Sequence, residues 1–166
     1  AYTANLFDLS DSGNLNLPSG TLKVGGKQTV NGPAFSVYRD SSATIPTDVL
    51  TLMAWTNEEY DTAGCMTNTR FTPNVEGYYS LVGSVRIDGD IGTGERMLSI
   101  KKNGNEYRRG MNAQGTASVG TSWFQMEVSC QVYQNVTTDY YELIVQNGAG
   151  ANINTTAVQQ FTAYKR

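Results

Sequence analysis

Few residues of this 166-residue chain could do catalytic chemistry. The chain has no histidine, which removes the usual general base, the commonest metal ligand and the Ser-His and Cys-His nucleophile pairs. The carboxylates of Glu58, Glu59, Asp61, Asp88 and Asp90 could in principle supply an acid/base pair for glycoside cleavage. Nothing in the sequence sets two of them about 5–10 Å apart across a cleft. The sequence therefore predicts that the chain is not an enzyme.

A loop rich in carboxylates could instead bind a metal ion. Asp88 and Asp90 lie in a glycine-containing segment, and Glu95 follows it. Calcium takes several oxygen ligands from a loop of this kind. The spacing does not match an EF-hand loop, so a solvated hairpin turn is the favoured interpretation. Ca²⁺ at these three residues is the one cofactor candidate, and we expect no other cofactor.

The two cysteines cannot form a cysteine-rich zinc site. Cys65 lies in a turn-rich segment, and Cys130 falls on the apolar side of an alternating strand. A buried cysteine in a strand packs as a small apolar side chain. We therefore expect two free thiols.

Aromatic and arginine side chains are the candidates for recognising a sugar or a protein. Exposed tyrosine, tryptophan and arginine anchor many interfaces, and aromatic side chains line many ligand sites. The candidate receptor residues are Tyr60, Tyr107, Arg108, Arg109 and Trp123. Trp55 ends an apolar run, so we expect it in the core.

The charge balance argues against nucleic acid as a partner. Lys and Arg number 12 and Asp and Glu number 15, which gives a net charge of −3 without clustered positive charge. No apolar run approaches the roughly 20 residues that a membrane-spanning helix needs. We therefore expect neither nucleic-acid binding nor membrane insertion.

Short alternating strands must position these residues. One side of residues 78–87 carries Tyr79, Leu81, Val85 and Ile87, and similar alternation covers 123–133 and 139–146. Residues 49–55 are nearly continuously apolar, which is typical of a strand covered on both sides. Asn103-Gly104 between two strands predicts a hairpin with a type I′ turn. Without helical periodicity, this pattern predicts an all-β antiparallel sandwich, jelly roll or barrel.

Five motifs from residue 33 onward resemble the globular head of complement C1q and the tumour necrosis factor superfamily. They are Ala34–Arg39, Phe71–Tyr79, Lys102–Gly104, Thr138–Tyr141 and Phe161–Ala163. The resemblance implies a C1q/TNF-like antiparallel jelly-roll sandwich over residues 33–166 that assembles as a homotrimer. The residues that it places in the fold or trimer core are Phe35, Phe71, Gly77, Tyr79, Tyr141 and Phe161.

Residues 1–32 contain only short apolar pairs between turn residues and cannot bury a core alone. Residues 13–26 resemble the shaft that precedes the tip domain of bacteriophage tail fibres, where three chains wind together. We therefore expect residues 1–32 to be a shaft-like stem and residues 33–166 to be the head.

Together, the two resemblances imply a viral fibre tip. Such a tip attaches a bacteriophage virion to its host through a bacterial surface glycan or outer-surface protein. It also contacts other virion proteins, and it is made in the host cytoplasm and located in the virion. The sequence is also compatible with three alternatives: a capsid or head-fibre decoration or structural protein, a secreted C1q-like module, and a lectin-type binding module.

Overall fold

A computed structural model describes residues 8–9, 15–16, 23–24, 27–28, 32–88, 94–114, 123–135, 138–148, 152–155 and 159–165. The chain divides into two compact units, Ala1–Asn31 and Gly32–Arg166. In the first unit, β1 (Asp8–Leu9) pairs antiparallel with β2 (Leu15–Asn16), and β3 (Lys23–Val24) pairs antiparallel with β4 (Lys27–Gln28). The assignment of residues 1–32 to a fibre shaft stays a prediction.

The second unit is built from strands throughout its described part. They are β5 (Ala34–Arg39), β6 (Thr44–Ile45), β7 (Leu50–Leu52), β8 (Asn57–Asp61), β9 (Arg70–Phe71), β10 (Gly77–Asp88), β11 (Glu95–Lys102), β12 (Asn105–Gln114), β13 (Trp123–Gln134), β14 (Tyr141–Asn147), β15 (Ile153–Thr155) and β16 (Gln159–Lys165). No helix occurs in the described ranges, and therefore none long and apolar enough to span a membrane.

Two antiparallel sheets form this unit. The larger sheet has the order β6-β15-β10-β16-β5-β8. β15 and β16 pair with different parts of one edge of β10, and β13 pairs with the opposite edge. The smaller sheet has the order β12-β11-β14-β7, and β9 also pairs with β14. Non-consecutive strands lie side by side in both sheets, as in a jelly roll. The predicted all-β antiparallel jelly-roll sandwich is confirmed.

An aromatic cluster fills the space between the sheets. The ring centroid of Phe71 lies 4.6 Å from Phe35, 5.8 Å from Tyr79 and 6.3 Å from Tyr141. Phe35 in turn lies 5.1 Å from Phe161. All five side chains are fully buried, and they come from strands of both sheets. Their contacts therefore hold one sheet against the other, in the offset and edge-on geometries that aromatic rings favour.

The prediction that residues 49–55 form a strand covered on both sides is wrong. The strand in this region, β7, has only three residues, and Leu50 and Leu52 are 50% and 43% exposed. β7 lies at an edge of the smaller sheet, and its outer side is not covered by a second layer. The apolar run instead ends in the core, where Met53 and Trp55 are buried.

The predicted Asn-Gly hairpin is confirmed. Asn103 and Gly104 have φ angles of 53° and 79°, so both central positions are left-handed, as a type I′ turn requires. Asp139 anchors this turn: its carboxylate accepts a hydrogen bond from Asn103 Nδ2 at 2.8 Å and pairs with Lys102 Nζ at 2.7 Å. The hydrogen bond from Lys102, followed by that from Asn103, lowers the pKa of Asp139.

Replacing the hub of the aromatic cluster should strongly destabilise the head. Phe71→Ala should lower the free energy of unfolding by about 3–5 kcal/mol, because it removes a large buried ring and leaves a cavity. The exposed Val75→Ala is the control and should change it by about 0.5 kcal/mol or less. Urea unfolding monitored by circular dichroism measures both values. A loss below about 1 kcal/mol for Phe71→Ala would mean that the cluster does not hold the sheets together.

The Asp139 anchor should make stability depend on pH. A carboxylate with a lowered pKa in the folded state stabilises that state above its ordinary pKa of 3.8, and the contribution disappears as the pH falls through the lowered value. The free energy of unfolding of Asp139→Asn should therefore lie below that of the native chain by the same difference at about pH 7 and pH 5. This difference should shrink in more acidic solution, where the native Asp139 also becomes protonated.

Urea unfolding across this pH series measures the difference in unfolding free energy. The exposed Asp40→Asn is the matched control. A difference that persists unchanged into strong acid would show that the effect of Asp139→Asn is not electrostatic.

Candidate functional site

Exposed tyrosines cover one end of the outer surface of the larger sheet. Tyr78 on β10 and Tyr133 on β13 are direct cross-strand partners, and their ring centroids are 4.9 Å apart. Tyr164 on β16 is the cross-strand partner of Ser80, two residues along β10 from Tyr78. Directly paired residues and alternate residues of a strand share one face of a sheet. The three tyrosines therefore lie on the same face.

The same register extends this face across the sheet. Val82 pairs with Thr162 on β16, Thr162 pairs with Ser36 on β5, and Ser36 pairs with Tyr60 on the edge strand β8. Tyr60 and Val82 therefore also face outward. We refer to Tyr60, Tyr78, Val82, Tyr133 and Tyr164 together as the tyrosine face.

Every side chain of the tyrosine face is substantially exposed, from 61% for Tyr78 to 42% for Val82. Tyrosine combines an apolar ring with a hydroxyl group, which suits a surface that is solvated before binding and buried after it. The Tyr133 hydroxyl donates a hydrogen bond to the Glu76 carboxylate, and this bond is the main cause of the raised pKa of Tyr133. Tyr133 is thus uncharged near pH 7.

Strand alternation explains why adjacent tyrosines behave differently. Tyr78 points outward, whereas Tyr79 is fully buried and its hydroxyl donates a hydrogen bond to the Val75 carbonyl at 2.6 Å. Burial raises the pKa of Tyr79 to about 12. Of the members of the tyrosine face, the sequence predicts only Tyr60 as a recognition residue. The alternation of apolar residues marks the inward side of β10 and β13. The tyrosine and valine residues between these inward positions could therefore have been predicted to face outward.

The other predicted receptor residues lie elsewhere. Tyr107, Arg108 and Arg109 are exposed on β12, an edge strand of the smaller sheet, so the structure does not bring them together with Tyr60. Arg109 makes two hydrogen bonds to Glu106, of 3.0 and 3.1 Å, and lies 3.8 Å from Glu95. The side chain of Trp123 lies outside the described residues. A receptor role for these residues stays a prediction.

The calcium candidates are only partly described. Glu95 lies on β11 beside Arg109, whereas Asp90 and the side chain of Asp88 lie outside the described residues. In the described ranges, no three cysteine or carboxylate side chains are grouped so that they could hold a metal ion. Calcium binding at these positions stays a prediction.

Three of the candidate acid/base carboxylates lie on β8, in different environments. Glu59 accepts a hydrogen bond from the Ser36 hydroxyl at 2.6 Å, and Asp61 accepts one from the backbone N–H of Met66, also at 2.6 Å. These contacts tie β8 to its neighbours. Glu58 is exposed and borders a surface cavity.

The two cysteines are free, as the sequence predicted, and both are buried. Burial raises the pKa of Cys130 to about 11, although the nearby charge of Arg108 opposes this shift. The pKa of Cys65 is also raised, mainly by burial. Both residues are therefore neutral thiols near pH 7 and poor nucleophiles.

A cavity of about 240 Å³ opens between β5, β8 and the loop before β9. Its apolar side is formed by Val37, Trp55 and Met66, and its polar side includes Glu58 and Asn68. Trp55 is buried as expected, and its ring stacks on Phe161 at a centroid distance of 6.0 Å. No local sequence pattern predicts this cavity, because its lining residues come from three separate segments.

Comparison with known proteins supports the fold. No family model matches the chain, and no curated protein sequence does. Among solved structures, the globular domain of zebrafish complement 1qA protein is similar with a TM-score of 0.56 and 15% identity, covering 81% of this chain and 99% of that one.

Two tumour necrosis factor structures are similar as well. Eiger TNF from S. frugiperda has a TM-score of 0.61 and 6% identity, covering 82% of this chain and 94% of that one. Murine APRIL has a TM-score of 0.58 and 10% identity, covering 82% of this chain and all of that one (100%). The chain therefore has the jelly-roll fold of the C1q and TNF proteins.

Proposed function

We propose that this chain is the homotrimeric, non-enzymatic binding head of a bacteriophage fibre, and that it attaches the virion to the surface of the host cell. The tyrosine face on a C1q/TNF-like jelly roll is the observation that carries the proposal. The bacteriophage context rests on the resemblance of residues 13–26 to a fibre shaft.

The tyrosine face supports self-association. Monomeric proteins seldom expose large contiguous apolar patches, and tyrosine is enriched at the centres of protein interfaces. Here the Tyr78 and Tyr133 rings contact each other, and Tyr164 and Val82 are exposed on the same face. In the trimer that the family resemblance implies, this face is buried between copies of the chain.

A trimer also gives a mechanism for attachment. Three copies present three identical receptor sites on one rigid body, so each later contact forms at a high effective concentration. The avidity can then exceed the affinity of one site by about 10²–10⁴. The receptor is a glycan or a protein of the bacterial surface, and no catalytic step is needed.

Charging the tyrosine face should separate the subunits. The native chain should have a solution mass near three times its 18.1 kDa. Tyr78→Glu combined with Tyr164→Glu should give a monomer, because it would bury carboxylates without partners. Light scattering after size exclusion measures the mass. Tyr107→Glu on β12 is the matched control and should remain trimeric. A native chain that stays monomeric at high concentration would contradict the trimer.

Attachment is tested with the fluorescently labelled native chain on a panel of bacterial strains. The trimer should adsorb to its host strain, and the monomeric variant should bind about 10²–10⁴ times more weakly, because it loses avidity. Flow cytometry measures both. A trimer that binds no strain but occurs at fixed copy number in purified particles would instead favour a capsid or head-fibre decoration protein. A precursor that carries a secretion signal would favour a secreted C1q-like module.

A further inference from the structure

The strand β7 forms an edge of the smaller sheet, whereas the tyrosine face lies on the larger sheet. β7 pairs antiparallel with β14, and the Met53 N–H continues this ladder by donating to the Leu143 carbonyl at 2.9 Å. Hydrogen-bonded and non-hydrogen-bonded pairs alternate along an antiparallel ladder. Thr51 and Met53 therefore direct their backbone groups toward β14, whereas Leu50 and Leu52 direct theirs away from it.

The outward edge of β7 has no partner strand within the described ranges. In those ranges, the N–H and C=O groups of Leu50 and Leu52 form no hydrogen bond with another residue. The two side chains are 50% and 43% exposed, and Val49 beside them is 49% exposed. An uncovered edge of this kind is a surface on which another extended chain can pair.

Other edge strands of the head carry charges that oppose such pairing. β8 contains Glu58 and Glu59, and β12 contains Arg108 and Arg109. Charged side chains on an edge strand hinder its pairing with another copy of the same strand. Residues 49–55 contain no charged side chain, so β7 lacks this protection.

A second copy of this chain fits the edge. In an antiparallel pair centred on Thr51, Leu50 of each copy lies opposite Leu52 of the other copy. The two pairs are equivalent under a twofold axis, so one arrangement satisfies both chains. Each pair exchanges two hydrogen bonds, which uses all the outward N–H and C=O groups of both leucines. The leucine side chains of both copies then meet on the outer face of the joined sheet.

The charges at the ends of β7 are complementary in this register. Continuing the pairing places the exposed Asp48 of one copy opposite Ala54 of the other. The Ala54 carbonyl accepts a hydrogen bond from Arg39 Nη1 at 3.1 Å, which holds the guanidinium group beside this position. Arg39 pairs with no carboxylate in the described part of its own chain. Each copy therefore offers a cation where the other offers an anion.

We propose that β7 is a self-association edge, through which two copies of this chain pair antiparallel into one continuous sheet. The inference does not rest on the trimer, because the tyrosine face belongs to the other sheet. Stable dimers commonly bury about 1,200–2,000 Å², which is more than a short strand edge provides. The contact is therefore weak between single chains, and it links heads that are already held at high local concentration.

The register makes a specific cross-linking test possible. Thr51 lies opposite Thr51 of the second copy in a non-hydrogen-bonded pair, where Cα atoms are about 4.5 Å apart. A disulfide spans about 4.4–6.8 Å between Cα atoms, so Thr51→Cys should form a disulfide-linked dimer when oxidised with diamide. Non-reducing electrophoresis measures the dimer, with the native chain as the blank for its buried thiols.

Val49→Cys is the matched control, on the same side of the same strand. It lies opposite Met53 of the second copy, so the two introduced thiols are offset by about 13 Å along the strand. It should therefore form at least about tenfold less dimer than Thr51→Cys, because this offset exceeds the reach of a disulfide.

Two variants test the contacts without a cross-link. Sedimentation velocity over a range of concentrations should show that the native chain associates further as its concentration rises. Leu52→Lys should weaken this association about tenfold or more, because each twofold contact contains the residue twice. Asp48→Asn removes the charge but suits the left-handed backbone, and it should weaken association about threefold to tenfold. The exposed Val75→Lys is the control and should associate normally.

The proposal is overturned if Thr51→Cys gives no dimer, if Val49→Cys cross-links equally well, or if the native chain shows no further association. Cross-linking of β7 to a different protein in purified particles would also overturn it, by assigning the edge to that partner. Failure of the trimer is a separate result. Thr51→Cys should cross-link whether or not Tyr78→Glu and Tyr164→Glu are present, so a chain that cross-links without forming trimers keeps this edge and loses the trimer.

Discussion

The packing of Phe35, Phe71, Tyr79 and Phe161 between the two sheets determines which side of each strand faces outward. Side chains alternate along a strand, so burying Tyr79 forces Tyr78 to the opposite surface. On β13 and β16, buried neighbouring residues likewise force Tyr133 and Tyr164 to the outer surface of the sheet. The exposed aromatic surface is thus a direct consequence of the core, and it gives the head a face that a second copy can cover.

Local features of the fold were predictable from the sequence. The Asn103-Gly104 hairpin has a backbone requirement that few residue pairs meet, and alternation marks the inward side of β10, β13 and β14. The burial of residues 49–55 was not predictable in the same way. An apolar run does not reveal whether its strand lies at the centre or the edge of a sheet, and Leu50 and Leu52 lie at an edge.

The candidate sites depend on contacts that are distant in sequence. Tyr78 and Tyr133 meet because β10 pairs with β13 in one particular register, and no local pattern encodes that register. The cavity beside Trp55 likewise assembles from three segments. Residue type alone led to Tyr107 and Arg109, which lie on the other sheet from Tyr60, and Arg109 is already engaged by Glu106. Residue type suggests candidate contact residues, whereas topology decides which of them lie together.

The central claim is that copies of this chain bury the tyrosine face against one another. Hydroxyl-radical footprinting of the native chain in solution, followed by mass spectrometry, measures the accessibility of each tyrosine. The account predicts that Tyr78, Tyr133 and Tyr164 are protected, and that Tyr107 on the other sheet is modified readily. Equal modification of Tyr78 and Tyr107 would contradict it.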